Sequence, residues 1–233
     1  MGPIKFNDFV AETKELEKEL KSAIDRVLSS GWFILGKEVS EFEIKFADYL
    51  GVKHVIGVGN GMEALQISLM ALGVGSGDEV ITTPISAVAT TLAILAVGAT
   101  PIFVDIDPTG QMDVNLIEKS ITSKTRVILP VYLYGHPTQI DHLVSTCKRY
   151  KLFLVEDAGQ AVGSSFRGQK LGTIGDFGCF SFYPTKNLGA YGDGGAIVTR
   201  DDKLALACRE FRDYGQASKY HHTRVGLSSR LDE

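Results

Sequence analysis

Hydrophobic positions along this chain follow two rhythms in turn. From Asn7 to Ser30, Val10, Leu16, Leu20, Ile24 and Val27 recur at helical spacing against a charged opposite face, and Gly31 supplies a stop. A short apolar run from Trp32 to Gly36 follows, and its large aromatics suit either a core or a subunit contact. Val39, Phe42 and Phe46 then predict a second helix over Glu38 to Tyr49, with Gly51 beyond its end. From His54 the rhythm changes to short apolar runs separated by helical stretches. Strands are predicted over His54 to Val58, Glu79 to Thr83, Pro101 to Asp105, Arg126 to Val131 and Leu152 to Glu156, the last closed by Asp157. Helices are predicted over Gly61 to Leu72, Ser86 to Val97, Asp113 to Ile121, Thr138 to Tyr150 and Leu204 to Tyr214. The Lys219-Tyr220-His221-His222 region reads as a polar stretch after the last helix.

Strands that are apolar throughout and joined by helices predict an α/β fold with a mainly parallel central sheet covered on both faces. Ligands of such sheets bind at the carboxyl ends of the strands. Asn60-Gly61, Pro84, Tyr132 and Asp157 all fall at such ends.

One stretch breaks the alternation. In Phe177 to Val198 an apolar run (Phe177, Cys179, Phe180, Phe182) stops at Tyr183-Pro184-Thr185 and presents Lys186. The chain then passes through Gly189, Gly192, Gly194 and Gly195 into a second apolar run. Two buried strands held apart by a glycine-rich turn read this way. The turn displays one amine, and glycines let backbone pass close to whatever that amine holds. A lysine at the rim of a dry cavity can lose its proton and become a nucleophile for carbonyls. The plainer alternative is a solvated turn lysine.

Composition narrows the field. The 233 residues allow one large domain or one and a half, and 44% hydrophobic with 22% charged residues is ordinary for a globular protein. A net charge of -4 and the lack of a Lys/Arg cluster argue against nucleic acid as a partner. The start MGPIKFNDFV lacks the pattern of a secretory signal, and no apolar run has membrane-spanning length. Cys147, Cys179 and Cys208 form no CxxC pair, as expected for buried thiols in a reducing cytoplasm. The five histidines form no ligand set, so no metal site is expected.

Two further candidates stand at strand ends. Gly57-Val58-Gly59-Asn60-Gly61-Met62 follows a strand and opens a helix, whose free N–H groups favour a phosphate. Met62 stands where a dinucleotide fingerprint needs its third glycine, so a cofactor phosphate or a tight structural turn are the open readings. Asp157, followed by Ala158-Gly159-Gln160, needs a cationic partner or several donors to stay charged. A protonated pyridine nitrogen is one such partner, and a helix cap or a salt bridge is the alternative. Glu156 beside it is expected to face the other way.

Taken together, VEDAGQAVGS, FGCFSFYPTKNLGAYGDGGAIVT, KYHH and SRLDE, with GVKHVIGVGNG, GDEVITTP, GATPIFVDID and LPVYLYG, resemble the DegT/StrS family of sugar aminotransferases dependent on pyridoxal phosphate (PLP). The similarity runs from Phe6 to Glu233. It implies a fold-type I aminotransferase large domain with a mainly parallel sheet flanked by helices. On that reading residues 1–52 form an N-terminal helical segment and 53–233 the PLP-binding large domain. Relatives continue past SRLDE into a smaller C-terminal domain, so the expectation is a chain without that domain.

By resemblance, Lys186 is the Schiff-base lysine and the base or acid that moves the proton. Asp157 pairs with the pyridine nitrogen, Gln160 lies near the ring, and Ser181 with the backbone of Gly61 and Met62 holds the phosphate. Glutamate is the implied amino donor and a nucleotide-linked keto-sugar the acceptor, with the 3-keto position favoured over the 4-keto by NLGAYGDGG, GNG and KYHH. A cytoplasmic homodimer is implied, with no membrane partner. Three positions depart from the family pattern. Met62 replaces a common Thr, Ala87 replaces an aromatic that covers the ring, and Ser228 replaces the usual Asn before SRLDE. The rival expectations are a catalytically incomplete homologue and, further off, a nucleotide-binding oxidoreductase that uses the Gly57 to Gly61 turn.

Overall fold

The predicted strands meet in a single seven-stranded sheet in the computed structural model, which describes residues 4–233. The first three residues of the stretch read for a secretory signal lie outside the described ones. The sheet strands are β1 (His54–Val58), β2 (Glu79–Thr82), β3 (Thr100–Phe103), β4 (Thr125–Ile128), β5 (Phe153–Asp157), β8 (Phe177–Ser181) and β9 (Gly195–Thr199). Two small hairpins lie outside the sheet, β6 (Ser165–Phe166) with β7 (Gln169–Lys170), and β10 (Gln216–Ser218) with β11 (His221–His222). The strand order is β1-β9-β8-β5-β4-β2-β3. From β8 to β3 every neighbouring pair is parallel, while β9 runs against both β1 and β8. The reversal follows from connection length. The parallel strands are linked by crossovers, most of them carrying a helix, whereas β8 and β9 are joined by the turn 182–194 alone, which returns the chain antiparallel.

The helices are α1 (Phe9–Glu15), α2 (Glu17–Ser30), α3 (Lys37–Leu50), α4 (Gly61–Ala71), α5 (Val88–Ala96), α6 (Val114–Ser120), α7 (Ile140–Tyr150) and α8 (Asp202–Arg212). Alternation along the strands divides the core between them. The paired Ile56 and Ile197 join the α4, α5 and α8 side with Leu65, Leu69 and Ala93. Their neighbours Val55 and Val198, also paired, join Phe46, Leu50 and Phe180 on the α3 side. A third cluster packs Ile81, Ile128 and Leu154 against Val114, Ile117 and Leu143 of α6 and α7. A period of two along each strand produces this two-sided burial.

Several boundaries differ from the sequence reading. The helix expected over Asn7 to Ser30 breaks at Leu16 (φ -95°, ψ 7°) into α1 and α2. Neither helix buries a residue, and Val10, Ile24 and Leu28 are exposed, so their amphipathic pattern has no cover among the described residues. β4 stops at Ile128 because Pro130 has no N–H for the ladder, and Val131 regains only a single bridge to Asp157. β3 is an edge strand that ends at Phe103, two residues early. α5 begins at Val88 instead of Ser86, whose hydroxyl bonds Thr90. α8 begins at Asp202 because the Asp201 carboxylate accepts from the N–H groups of Lys203 and Leu204 at 2.7 and 3.0 Å. The polar stretch at Lys219 to His222 forms the turn and second strand of the β10–β11 hairpin, with Tyr220 at φ 66°. Tyr132 does not face the strand-end opening. It is fully buried, and its hydroxyl donates to Glu156 at 2.8 Å. Among the described residues no helix is long and apolar enough to cross a membrane.

Candidate active site

The ends of three parallel strands and one reversed strand create the site. Val58, Gly195 and Ser181 lie on one row across β1, β9 and β8, and Asp157 pairs with Cys179 one strand further. β1, β5 and β8 end here, which is where an open α/β sheet leaves a crevice. A cavity of about 480 Å³ opens at this edge, and Lys186, Asp157, Gln160, Ser181, Gly61 and Met62 all line it. The six residues expected to hold the cofactor thus line one cavity, whereas Pro84 and Tyr132, also expected at strand ends, do not.

One part of the cavity is built for an anion. Asn60 caps α4 by accepting from Glu63 N–H at 2.9 Å with its side chain, and its carbonyl accepts from Ala64 N–H at 3.0 Å. The N–H groups of Gly61 and Met62 take no partner among the described residues. They stand at the positive end of an eleven-residue helix. Gly61 is required by contact, since a Cβ there would stand 2.6 Å from Ser181 Cβ. The Ser181 hydroxyl accepts one long bond from Tyr183 N–H at 3.4 Å, which leaves its own proton free to donate.

Asp157 supplies the negative counterpart. Its Oδ2 accepts from the Thr90 hydroxyl at 2.7 Å and its Oδ1 from Gly159 N–H at 3.1 Å. Burial pushes the carboxyl above its ordinary value, against the Thr90 hydroxyl, the Gly159 N–H and the positive charge of Lys186, which favour the anion. Glu156 faces away, as expected from strand alternation. There its carboxylate accepts from Tyr132 Oη and the N–H groups of Gly172, Ile174 and Gly175. Cys179 lies against the cavity, with burial holding its thiol well above the usual range.

Lys186 is half-buried on the turn between β8 and β9. Its backbone N–H donates to the Tyr183 carbonyl at 2.8 Å, and Ala190 N–H to Phe182 O at 2.7 Å and Phe182 N–H to Gly194 O at 2.8 Å close the turn around it. Gln160 is fixed by Tyr134 N–H, which donates to its Oε1 at 2.8 Å. Ala87 lines the cavity as expected, so no aromatic stands at that position. Thr90, Ser86, Tyr183 and Asp193 also line it, and the sequence reading gave none of them a role. Ser86 lies before the N-cap Ala87, so helical spacing gave no signal that linked it to Thr90.

Comparison with known proteins gives a consistent result. The family model described as the DegT/DnrJ/EryC1/StrS aminotransferase family matches residues 14–233. The dTDP-3-amino-3,4,6-trideoxy-alpha-D-glucose transaminase of Streptomyces venezuelae is 48% identical over 99% of this chain and 61% of its own length. The UDP-2-acetamido-2-deoxy-3-oxo-D-glucuronate aminotransferase of Pseudomonas aeruginosa is 45% identical over 98% of this chain and 64% of its own. The chain thus spans about three fifths of the length of these curated relatives. Among solved structures, S. venezuelae DesV in complex with a ketimine intermediate superposes with a TM-score of 0.96 at 46% identity, covering 100% of this chain and 63% of that one. NtdA of Bacillus subtilis, described with bound cofactor PMP, gives 0.89 at 37% identity over 94% and 50%.

Proposed function

This chain belongs to the DegT/DnrJ/EryC1/StrS aminotransferase family, and on that premise we propose that it carries the cofactor site of an enzyme aminating nucleotide-linked keto-sugars with glutamate as donor. Pyridoxal phosphate is the cofactor of this family. The donor set of the cavity fits it. Two uncommitted N–H groups and a free hydroxyl suit a phosphate, a hydrogen-bonded carboxylate suits a protonated ring nitrogen, and a half-buried amine suits a carbonyl. When bound, this group supplies a carbonyl for amine exchange and an electron sink for the carbon that loses its proton.

The chain's own residues then divide the work. Gly61 N, Met62 N and Ser181 Oγ anchor the phosphate and set its position along the cavity. The Asp157 carboxylate would hold the proton on the ring nitrogen. Lys186 Nζ would hold the cofactor through its carbonyl carbon and would serve as the base that takes a proton from carbon and the acid that returns it. Gln160, braced by Tyr134 N–H, would bound the ring. The observation that carries the reading is the convergence of Lys186, Asp157 and the α4 N-terminus on one cavity.

Of the relatives named above, one is named for a 3-amino sugar and one for a 3-oxo sugar, and this supports amination at C3. Two experiments decide the reading. The chain mixed with PLP should show a visible absorbance band that Lys186→Ala lacks, and borohydride should fix the cofactor to the peptide containing Lys186. A reduced adduct on another lysine would overturn the assignment. Amino transfer from glutamate should then be faster to a 3-keto than to a 4-keto nucleotide-sugar, and the reverse preference would move the chemistry to C4.

A further inference from the structure

Thr90 is fully buried near the start of α5, and its surroundings dictate where its single proton goes. Thr90 Oγ1 lies 2.7 Å from Asp157 Oδ2 and 2.6 Å from Ser86 Oγ. An ionised carboxylate has no proton to give, so Thr90 donates to Asp157. Having spent its proton, Thr90 can only accept from Ser86, and Ser86 is the donor of the second bond. The result is a directional relay, Ser86 to Thr90 to Asp157, with both hydroxyl dipoles aimed at the carboxylate. Ser86 is free for this because it does not cap α5. The N-cap position is Ala87, whose carbonyl accepts from Thr90 N–H at 3.2 Å.

We propose that Thr90, with Ser86 behind it, is a positioning residue that keeps Asp157 ionised and weakly basic, so that the ring nitrogen paired with Asp157 retains its proton. The proposal rests on the reading of this cavity as the PLP site. A carboxylate surrounded by protein gains proton affinity from burial, and a basic Asp157 would take the proton from the ring and leave a neutral pair. That pair lacks the positive charge that makes the ring an electron sink. Hydrogen bonds from hydroxyls to a carboxylate are short and strong, and a second donor behind the first polarises it further.

The other groups facing Asp157 do not replace the relay. Lys186 favours the anion only while its amine is charged. Burial holds the Cys179 thiol on β8 well above its usual range, and Asp193, also lining the cavity, is a second carboxylate that donates no hydrogen bond when charged. Glu156 is on the opposite face of β5, bound by Tyr132 and the 172–175 backbone.

Two measurements test this on the full chain with Thr90→Val, Thr90→Ser and Ser86→Ala. The first is the carboxyl titration of Asp157 by carbon NMR without cofactor. The second is the ring-nitrogen chemical shift of isotopically labelled PLP bound to each protein. Thr90→Val should raise the proton affinity of Asp157 roughly 10- to 100-fold, the worth of one hydrogen bond to a charged group. It should also move the ring nitrogen toward its deprotonated shift. Ser86→Ala should move both readouts the same way by less, and Thr90→Ser should restore both. Unchanged titration and shift in Thr90→Val would overturn the relay. Should Thr90→Val fail to fold, the partly exposed Ser86→Ala carries the test, and no movement there overturns it equally. If the unaltered chain binds no PLP, the proposed function falls, while the Asp157 titration still decides the relay by itself.

Discussion

Glu156 and Asp157 are adjacent carboxylates with opposite employments, and strand alternation is the reason. Glu156 is fully buried and takes four hydrogen bonds, from Tyr132 Oη and Gly172 N–H on one oxygen and from Ile174 and Gly175 N–H on the other. It ties the 171–175 loop to the sheet. In Glu156→Gln one oxygen becomes an NH₂ that meets two donors, which should cost about 2 to 4 kcal/mol by urea denaturation. Burial raises the Glu156 pKa in the fold above its unfolded value. The folded state then binds the extra proton between the two values, so its contribution to stability falls as pH rises through that window. The advantage of the unaltered chain over Glu156→Gln should therefore be largest at low pH and shrink as pH rises. An advantage that grows with pH would show the opposite shift.

Gly61 carries the second residue-scale prediction. A Cβ 2.6 Å from Ser181 Cβ forces either Ser181 or the first turn of α4 to move. Gly61→Ala should cost roughly 1 to 3 kcal/mol in stability and on the order of tenfold or more in PLP affinity. Retained affinity, measured by fluorescence titration, would remove Gly61 from the phosphate cradle.

At the scale of elements, α3, β1 and α8 are fastened by one buried carboxylate. Glu43 Oε1 accepts from Gly57 N–H at 2.8 Å and from Arg212 Nη1 at 2.5 Å, while Oε2 accepts from Arg209 Nη1 at 2.9 Å. Arg212 also donates to the Gly57 carbonyl at 2.8 Å, and its Nε has no partner among the described residues. The network grips β1 at Gly57, its penultimate residue, just before the turn into α4. Removing Glu43 leaves two guanidinium groups without their counter-charge, one of them buried. Glu43→Ala should cost about 3 to 5 kcal/mol, and adding Arg212→Met should recover part of it. A urea midpoint unchanged in Glu43→Ala would show that packing alone holds these elements together. The antiparallel pair β8 and β9 is likewise an element-scale device. The turn 182–194 between them sets Lys186 over the ends of the parallel strands, which no crossover helix could do at that length.

At the scale of the whole molecule, large apolar side chains stand in the open. Trp32 (64%), Val88 (68%) and Tyr183 (53%) are exposed, and Tyr183 lines the cavity itself. Exposed apolar surface of this kind is what a contact between chains would cover. A second copy of the chain is the proposed partner. Sedimentation velocity should show a dimer whose population falls in Val88→Glu, and a monomer at all concentrations would overturn it.

The alternation of apolar runs and helical stretches was enough to predict a mainly parallel sheet, the succession of strands and helices along the chain and a crevice at the strand ends. This works because burial on both faces leaves a continuous apolar signature and because crossovers must be long. Lys186, Asp157 and the Gly57 to Met62 turn stood out because glycine-rich turns and strand-end carboxylates are local features, whereas Gln160 and Ser181 were named only through the family resemblance. Local pattern could not show that Leu16 splits the first helix, that Tyr132 turns inward to Glu156, or that Thr90 points at Asp157. Each of these depends on which element arrives next to it, and a hydroxyl has no hydrophobic period to announce its partner. Tertiary packing alone decided that a threonine of α5 would serve a carboxylate 67 positions away.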